Sequence, residues 1–235
     1  MNQIGIIGGG AIGEAIARLA VDADFQVTIA NSRGPETLTD LVAGLGANAE
    51  AGTTHEAAAF SDLVVLAIPL AAYEQLPQAS LDGKMILSTG NYYPHRDGRI
   101  AALDAQEMTT AELEQALLPG TRLVKAFNNI VAHHIPLLAN SEPRTALPVF
   151  GDDAPATGEV SELVRTLGFD PVDAGPLDES WRTEPDSGAY TAIYAEGPDG
   201  FGDDYLADRG HPVTAGDLER LVAASHRPDV AARAF

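Results

Sequence analysis

The sequence predicts an α/β fold, a doubly wound parallel sheet with a small C-terminal appendage, and three observations carry the prediction. Short apolar runs recur without the polar alternation of a half-exposed strand, amphipathic stretches separate them, and a glycine-rich turn follows the first run at once. Parallel strands need crossovers, and the helices in those crossovers cover both faces of the sheet, which is why the strands are apolar throughout.

The elements follow in order. "IGIIG" (4–8) is the first strand, and "GEAIARLAVDA" (13–23) has helical spacing behind it. "QVTIAN" (26–31) is a second strand, and "PETLTDLVAGLG" (35–46) a second helix with Pro35 at its first position. "DLVVLAIP" (62–69) and "KMILSTGN" (84–91) read as further strands, "AELEQALLPG" (111–120) as a helix and "RLVKAFNN" (122–129) as the next strand. "ALPVFGDD", the helix-like "ATGEVSELVRTLG" and "FDPVDAG" extend the alternation to about residue 176. The expected division is a nucleotide-binding domain at 1–178 and a small region at 179–235 that covers an acceptor site or forms a subunit contact. In that region "GAYTAIYAEGPDGFGDDYLADRGHP" has no clear period, and only "TAGDLERLVAASH" regains helical spacing, with Thr214 and Asp217 placed to cap it.

Composition narrows the function. The 235 residues carry a formal net charge of -20, with two lysines and twelve arginines scattered rather than clustered, which disfavours nucleic acid as a partner. The acidic excess is expected to form a solvated surface. There is no cysteine, so disulfides, thiolate metal sites and cysteine nucleophiles are absent together. Neither the flanks of a secretory signal nor an apolar run long enough to span a bilayer is present in the chain, and the expectation is a cytoplasmic protein without a membrane partner.

"GIIGGGAIGEAIA" places Gly8, Gly10 and Gly13 in a G-x-G-x-x-G spacing between a strand and a helix. Gly8 makes the tight turn, Gly10 lets the backbone approach a pyrophosphate, and Gly13 lets the helix lie close to the sheet. The helix start, with Ala11 and Ile12, offers free N–H groups and a positive dipole end to the phosphates. This context raises a weak motif to a Rossmann-type dinucleotide site. At the end of the second strand an NAD site would carry a carboxylate for the ribose 2′-hydroxyl, but this chain has Asn31-Ser32-Arg33. A carboxylate there would repel a 2′-phosphate, whereas the Ser32 hydroxyl and the Arg33 guanidinium attract one, so the expected cofactor is NADP(H). The bland alternative makes Ser32 and Arg33 ordinary loop residues ahead of Pro35.

In an open parallel sheet the ligand lies at the carboxyl ends of the strands. That rule nominates Ile68, Pro69 and Leu70, then Asn91 with Tyr92 and Tyr93, then Ala126, Phe127, Asn128 and Asn129. Asn91, Tyr92, Asn128, Asn129 and His133 are the candidates for contact with an acceptor. Each has a structural alternative: the tyrosines pack a loop, Asn128 and Asn129 cap a helix, and His133 with His134 forms a surface or core feature. No metal site is expected, since the histidine pair has no carboxylate at ligand spacing. Asp152 and Asp153 read as helix-capping residues, while Trp181 and Arg182 either stack near the acceptor or bury the C-terminal region.

The segments "GIIGGGAIGEAIARL", "VTIANSRGPETL", "GNYYPHRDG", "LVKAFNNI" and "GFDPVDAGPL" together resemble the bacterial and archaeal F420-dependent NADP oxidoreductase family, whose relatives include reductase domains that pass electrons from NADPH to flavin in metalloreductases. The resemblance covers about residues 3 to 185, with "SWR" and the tyrosine of "SGAY". It implies NADPH along the strand ends, a homodimer, and an acceptor, F420 or a flavin, held between the nucleotide portion and the C-terminal part. Two departures stand out. The family commonly has an acidic residue, a small residue, Thr and Asn ahead of the paired tyrosines, where this chain has Ser88-Thr89-Gly90-Asn91, and the tail from about residue 190 has no counterpart. Hydride transfer between two such cofactors asks the protein to align rings and exclude water, so no catalytic acid or base is assigned. Arg96, Arg99 and Arg144 are local cations that would offset the acidic balance for an anionic acceptor. The alternatives are reduction of a small imine or keto compound, which calls for a long helical domain after the nucleotide portion, and a non-catalytic NADP-sensing module.

Overall fold

The computed structural model describes residues 2–198 and 200–233. Eight strands form one sheet in the order β3-β2-β1-β4-β5-β6-β7-β8. They are β1 (Gln3–Ile7), β2 (Gln26–Ala30), β3 (Ala49–Gly52), β4 (Leu63–Leu66), β5 (Met85–Ser88), β6 (Arg122–Lys125), β7 (Ala146–Gly151) and β8 (Asp170–Gly175). The helices are α1 (Ala11–Asp22), α2 (Thr39–Leu45), α3 (Thr54–Phe60), the one-turn α4 (Gln78–Leu81), α5 (Pro94–Asp97) and α6 (Ala101–Asp104), then α7 (Thr110–Leu117), α8 (His134–Leu138), α9 (Ala154–Thr166) and α10 (Ala215–Ala224).

Alternate residues of each strand enter two separate cores, which accounts for the unbroken apolar runs. Ile4 and Ile6 of β1 pack with Leu63 and Val65 of β4 under α1, while Ile7, Val64 and Leu66 face Ala57 and Ala58 of α3. The doubly wound α/β expectation therefore holds, with two corrections. First, β3 was not expected, because "AEAG" has no apolar run; it forms by pairing in parallel with β2 from Val27 opposite Ala49 to Ala30 opposite Gly52. Thr53, whose side chain accepts from the Glu56 N–H in a capping box, then starts α3. Second, β7 runs antiparallel to β6, whereas every other pair is parallel. The segment between them holds only the five-residue α8, so no full crossover helix returns the chain to the starting edge.

Residues after 178 pack into the same layers. Ala189, Tyr194, Val213, Leu218 and Val222 belong to the core cluster that contains α1 and α9. The α10 helix begins as expected, with the Thr214 side chain accepting from the Asp217 N–H, and Asp153 caps α9 through the Ala156 N–H. No helix among the described residues is long and apolar enough to cross a membrane.

Candidate functional site

A cleft of about 580 Å³ opens at the carboxyl ends of β1, β2 and β4, where the strand order changes direction. Its floor is the glycine turn. Gly8 has φ +125°, its N–H donates to the Ala30 carbonyl at 2.8 Å, and a Cβ there would lie 2.2 Å from the Ala67 carbonyl oxygen. Gly13 does not line the cleft: a Cβ on it would fall 1.8 Å from the Gly8 carbonyl oxygen, so it sets the distance between α1 and the turn. Gly10 is the N-cap of α1, no side chain caps it, and its Cβ position is open. The first N–H groups of a twelve-residue helix thus remain without an intrahelical partner at the mouth of the cleft, which is the electrostatic and geometric requirement for phosphate binding. Ala11 is exposed at the helix start rather than part of the lining.

Asn31 organises the far rim. Its Oδ1 accepts from the Arg33 N–H at 2.8 Å and its Nδ2 donates to Thr37 Oγ1 at 2.9 Å, so residues 31–34 form a tight turn that carries Ser32 and Arg33 along the cleft. Among the described residues the exposed Arg33 guanidinium has no carboxylate partner.

A second pocket of about 310 Å³ shares Ala67, Ile68 and Pro69 with the first, so the two adjoin past the end of β4. Ile12, Thr89, Gly90, Asn91 and Phe127 form one side, and Tyr93, Arg96, Tyr190, Thr191 and Tyr205 another. Two asparagines bind one another at its base: Asn91 Nδ2 donates to the Asn128 carbonyl at 2.7 Å, and Asn128 Nδ2 donates to Asn91 Oδ1 at 3.3 Å. Asn128 Oδ1 is buried without a hydrogen-bond partner in a residue that lines the pocket. The neighbouring Phe127 is fully buried at φ +59°, a conformation a bulky residue adopts only where the surroundings hold it. An edge contact with Phe169 at 5.6 Å helps to hold it there.

Beneath this floor lies a buried polar network. Glu114 of α7 accepts from Tyr73 OH and Ser88 Oγ, both at 2.8 Å, and a Cβ on Gly90 would fall 1.8 Å from Glu114 Oε1. Burial pushes the Glu114 pKa up, against an opposing pull from Lys125. Lys125 is fully buried and pairs with Glu184 at 3.3 Å; burial alone would raise the Glu184 pKa, but Lys125 and the Thr110 hydroxyl outweigh it and hold the carboxyl below its ordinary range. Lys125 therefore supports the sheet and does not reach the cleft.

Several expected site residues lie elsewhere. Tyr92 turns away from the pocket: it is 1% exposed, donates to Asp104 Oδ1 at 3.1 Å and accepts from the Ile100 N–H at 3.0 Å. Asn129 is fully buried and donates to the Ala189 carbonyl at 3.1 Å, which ties down the C-terminal segment. Neither asparagine caps a helix, since α8 starts at His134 with no side-chain cap. His133 packs against Tyr205 at 5.2 Å and bonds the Asp208 carbonyl, outside the pocket lining, while His134 pairs with the Asp208 carboxylate at 2.9 Å. Ala126 is buried in the core, and Leu70 lies in the second core cluster. Trp181 lies under Arg182 and Arg227 at a smaller cavity on the other side of Tyr92. Of the three arginines considered for an anionic acceptor, Arg96 alone lines the pocket; Arg99 and Arg144 bond elsewhere. Tyr190, Thr191 and Tyr205, together with Thr53 and Thr54 in the first cleft, were not among the candidates.

Comparison with known proteins agrees with the fold. The family model described as NADP oxidoreductase coenzyme F420-dependent matches residues 3–92. A hypothetical protein, SMa0349 from Sinorhizobium meliloti, is 31% identical, with a TM-score of 0.68 over 77% of this chain and 88% of its own. A protein from Arthrobacter sp. FB24, described as a "putative f420 dependent nadp-reductase", shares the fold at 24% identity and a TM-score of 0.63, covering 75% of this chain and 86% of its own. Metalloreductase STEAP3 of Rattus norvegicus is 28% identical over 184 residues, which are 77% of this chain and 36% of STEAP3. The chain spans less than half the length of the curated relatives it matches.

Proposed function

The chain belongs to the coenzyme F420-dependent NADP oxidoreductase family, and we propose that it acts as an NADP-dependent oxidoreductase that transfers a hydride between NADP(H) and a flat redox acceptor, the deazaflavin F420 or a flavin. The observation that supports this reading best is that two cavities adjoin at Ala67, Ile68 and Pro69, one over the glycine turn and the end of β2 and the other lined by aromatic residues. The turn at Gly8 and the uncapped start of α1 would hold the pyrophosphate, and Ser32 with Arg33 the 2′-phosphate that separates NADP from NAD. Asn128 Oδ1, buried and unpartnered, would accept from an amide or ring N–H of either ligand. When bound, NADPH supplies the hydride; the chain aligns the two ligands and keeps water from between them.

Tyr93, Phe127, Tyr190 and Tyr205 give the acceptor pocket faces and edges for a planar ring. The region after residue 178 would cover this pocket through Tyr190, Thr191 and Tyr205. A homodimer acting in the cytoplasm, which the family resemblance implies, is part of the proposal. A small imine or keto substrate fits less well, because the only full helix among the described residues after 178 is the ten-residue α10.

A turnover assay with NADPH or NADH against F420, FMN and FAD tests the proposal. NADPH oxidation by at least one of the three, faster than with NADH, is the expected result. Tight NADPH binding with no turnover on any acceptor would replace it with a sensing module.

A further inference from the structure

Tyr93 and Tyr190 both line the acceptor pocket, and their hydroxyls are hydrogen-bonded to each other. One lies just past β5 and the other in the C-terminal segment, so the pair bridges two distant parts of the chain at the place where the acceptor would sit. A phenol has one proton to donate and lone pairs to accept with. Two phenols therefore hold two protons, and the bond between them engages one.

Asn91 supplies a further donor to the pair. Its amide orientation is fixed from both sides, since Nδ2 donates to the Asn128 carbonyl at 2.7 Å and Oδ1 accepts from Asn128 Nδ2 at 3.3 Å. The nitrogen also faces Tyr190 OH at 3.5 Å and can only donate to it. Either hydroxyl can donate in the bond between them; in the arrangement in which Tyr93 and Asn91 both donate to the Tyr190 oxygen, the Tyr190 proton has no protein acceptor among the described residues and is free for a ligand.

The geometry points to Tyr190 as the proton donor of the acceptor pocket, a catalytic residue that protonates the acceptor's C=O or C=N heteroatom as the hydride arrives, with Tyr93 and Asn91 positioning its hydroxyl. The inference rests on the oxidoreductase reading above and adds to it the acid that the sequence did not reveal. The step balances. A C–H bond of NADPH breaks and its electron pair forms the new bond to hydrogen on the acceptor, so NADPH is oxidised and the acceptor reduced. The acceptor's displaced π pair lands on the heteroatom, which takes the Tyr190 proton. Tyr93 passes its own proton to the tyrosinate along the existing hydrogen bond, and Tyr93, half-buried at the pocket, is reprotonated from water. Burial, and next the neighbouring Tyr93, raise the Tyr190 pKa well above the ordinary phenol range, while Arg233 and Arg96 pull the other way. The hydroxyl thus stays protonated in the resting pocket, and Arg233 and Arg96 favour the tyrosinate that follows.

The test compares wild type with Tyr190→Phe and Tyr93→Phe, two changes that each remove one oxygen and keep the ring. Two readouts are taken: kcat with its solvent isotope effect against F420 and FMN, and the affinity of FMN for the NADP+-loaded protein by fluorescence quenching. Tyr190→Phe is expected to lower kcat by about 10²-fold or more, the range for loss of a positioned acid. It should also abolish the solvent isotope effect and weaken FMN binding, with NADP+ affinity unchanged. Tyr93→Phe should show a smaller loss in the same direction. An active wild type with a Tyr190→Phe variant that matches it in kcat, isotope effect and FMN affinity would overturn the inference and leave the oxidoreductase reading standing. A wild type that oxidises NADPH with none of the acceptors would overturn both. Should Tyr190→Phe fail to fold by thermal melt, Tyr93→Phe decides: wild-type kcat and isotope effect in that variant would overturn the relay.

Discussion

Arg33 stands at the end of β2 with its guanidinium along the rim of the cleft and no carboxylate partner among the described residues, so its charge is available to a 2′-phosphate. Arg33→Ala is expected to weaken NADPH binding by roughly 1.5–3 kcal/mol, the range for a hydrogen bond to a charged group, and to leave NADH binding nearly unchanged. Calorimetric titration with both cofactors checks this, and equal losses would remove the 2′-phosphate role. The contact at Gly90 is as specific. A Cβ there would meet Glu114 Oε1 at 1.8 Å, so Gly90→Ala displaces the carboxyl oxygen that accepts from Tyr73 OH and is expected to cost about 1–3 kcal/mol of stability, as overpacking does. The glycine turn between β1 and α1 and the place of Arg33 just past β2 were legible in the sequence because both are local, whereas Pro35 opens a single 3-10 turn and α2 itself starts only at Thr39. Tyr92 and Tyr93 were not separable, since the choice of which one faces the pocket depends on the Ile100 N–H and Asp104, which hold the Tyr92 hydroxyl on the other side. Tyr190 was legible only as a resemblance, because its partners Tyr93 and Asn91 are about a hundred residues away.

At the scale of elements, the sheet's inner strands followed from apolar runs and helical spacing, whereas β3 and the reversed β7 did not. Pairing with a neighbour determines both, and neither leaves a periodic trace. The network joining β6, α7 and the turn at residues 177–184 was likewise hidden, as its charges come from three separate segments. It yields a paired test of opposite sign. Glu184 is held below its ordinary value of 4.5, chiefly because Lys125 and Thr110 outweigh burial, so it contributes stability above that pH that is lost as pH falls through its folded value. Glu184→Gln leaves Lys125 buried without its carboxylate and should cost about 3–5 kcal/mol near pH 7, with a smaller deficit in acid. Glu114 is raised by burial, so the folded state keeps a proton that the unfolded chain releases, and its contribution falls as pH rises from about 4.5 towards the folded value. The Glu114→Gln variant should therefore improve relative to wild type over that rise. Urea unfolding at several pH values measures both, and parallel stability curves for wild type and either variant would contradict the assignment.

For the whole molecule, the C-terminal segment closes two structures at once. Leu218 and Val222 of α10 and the fully buried Tyr194 fill the core on the α1 face, and Tyr190 and Tyr205 complete the acceptor pocket. A chain ending at residue 178 is therefore expected to expose apolar sheet surface and to lose cooperative thermal unfolding, whereas retention of a sharp transition would show that the Rossmann portion is stable alone. This dependence was not legible in a segment rich in Gly and Asp, because its apolar residues are too widely spaced to show a period. The central claim, direct transfer between two ligands lying end to end past Ala67–Pro69, is tested most directly by anaerobic single-turnover stopped-flow absorbance with NADPH and F420, FMN or FAD in turn. The account predicts that NADPH oxidation and reduction of at least one acceptor proceed with the same rate constant, and much more slowly with NADH; NADPH that binds and stays reduced with every acceptor would contradict it.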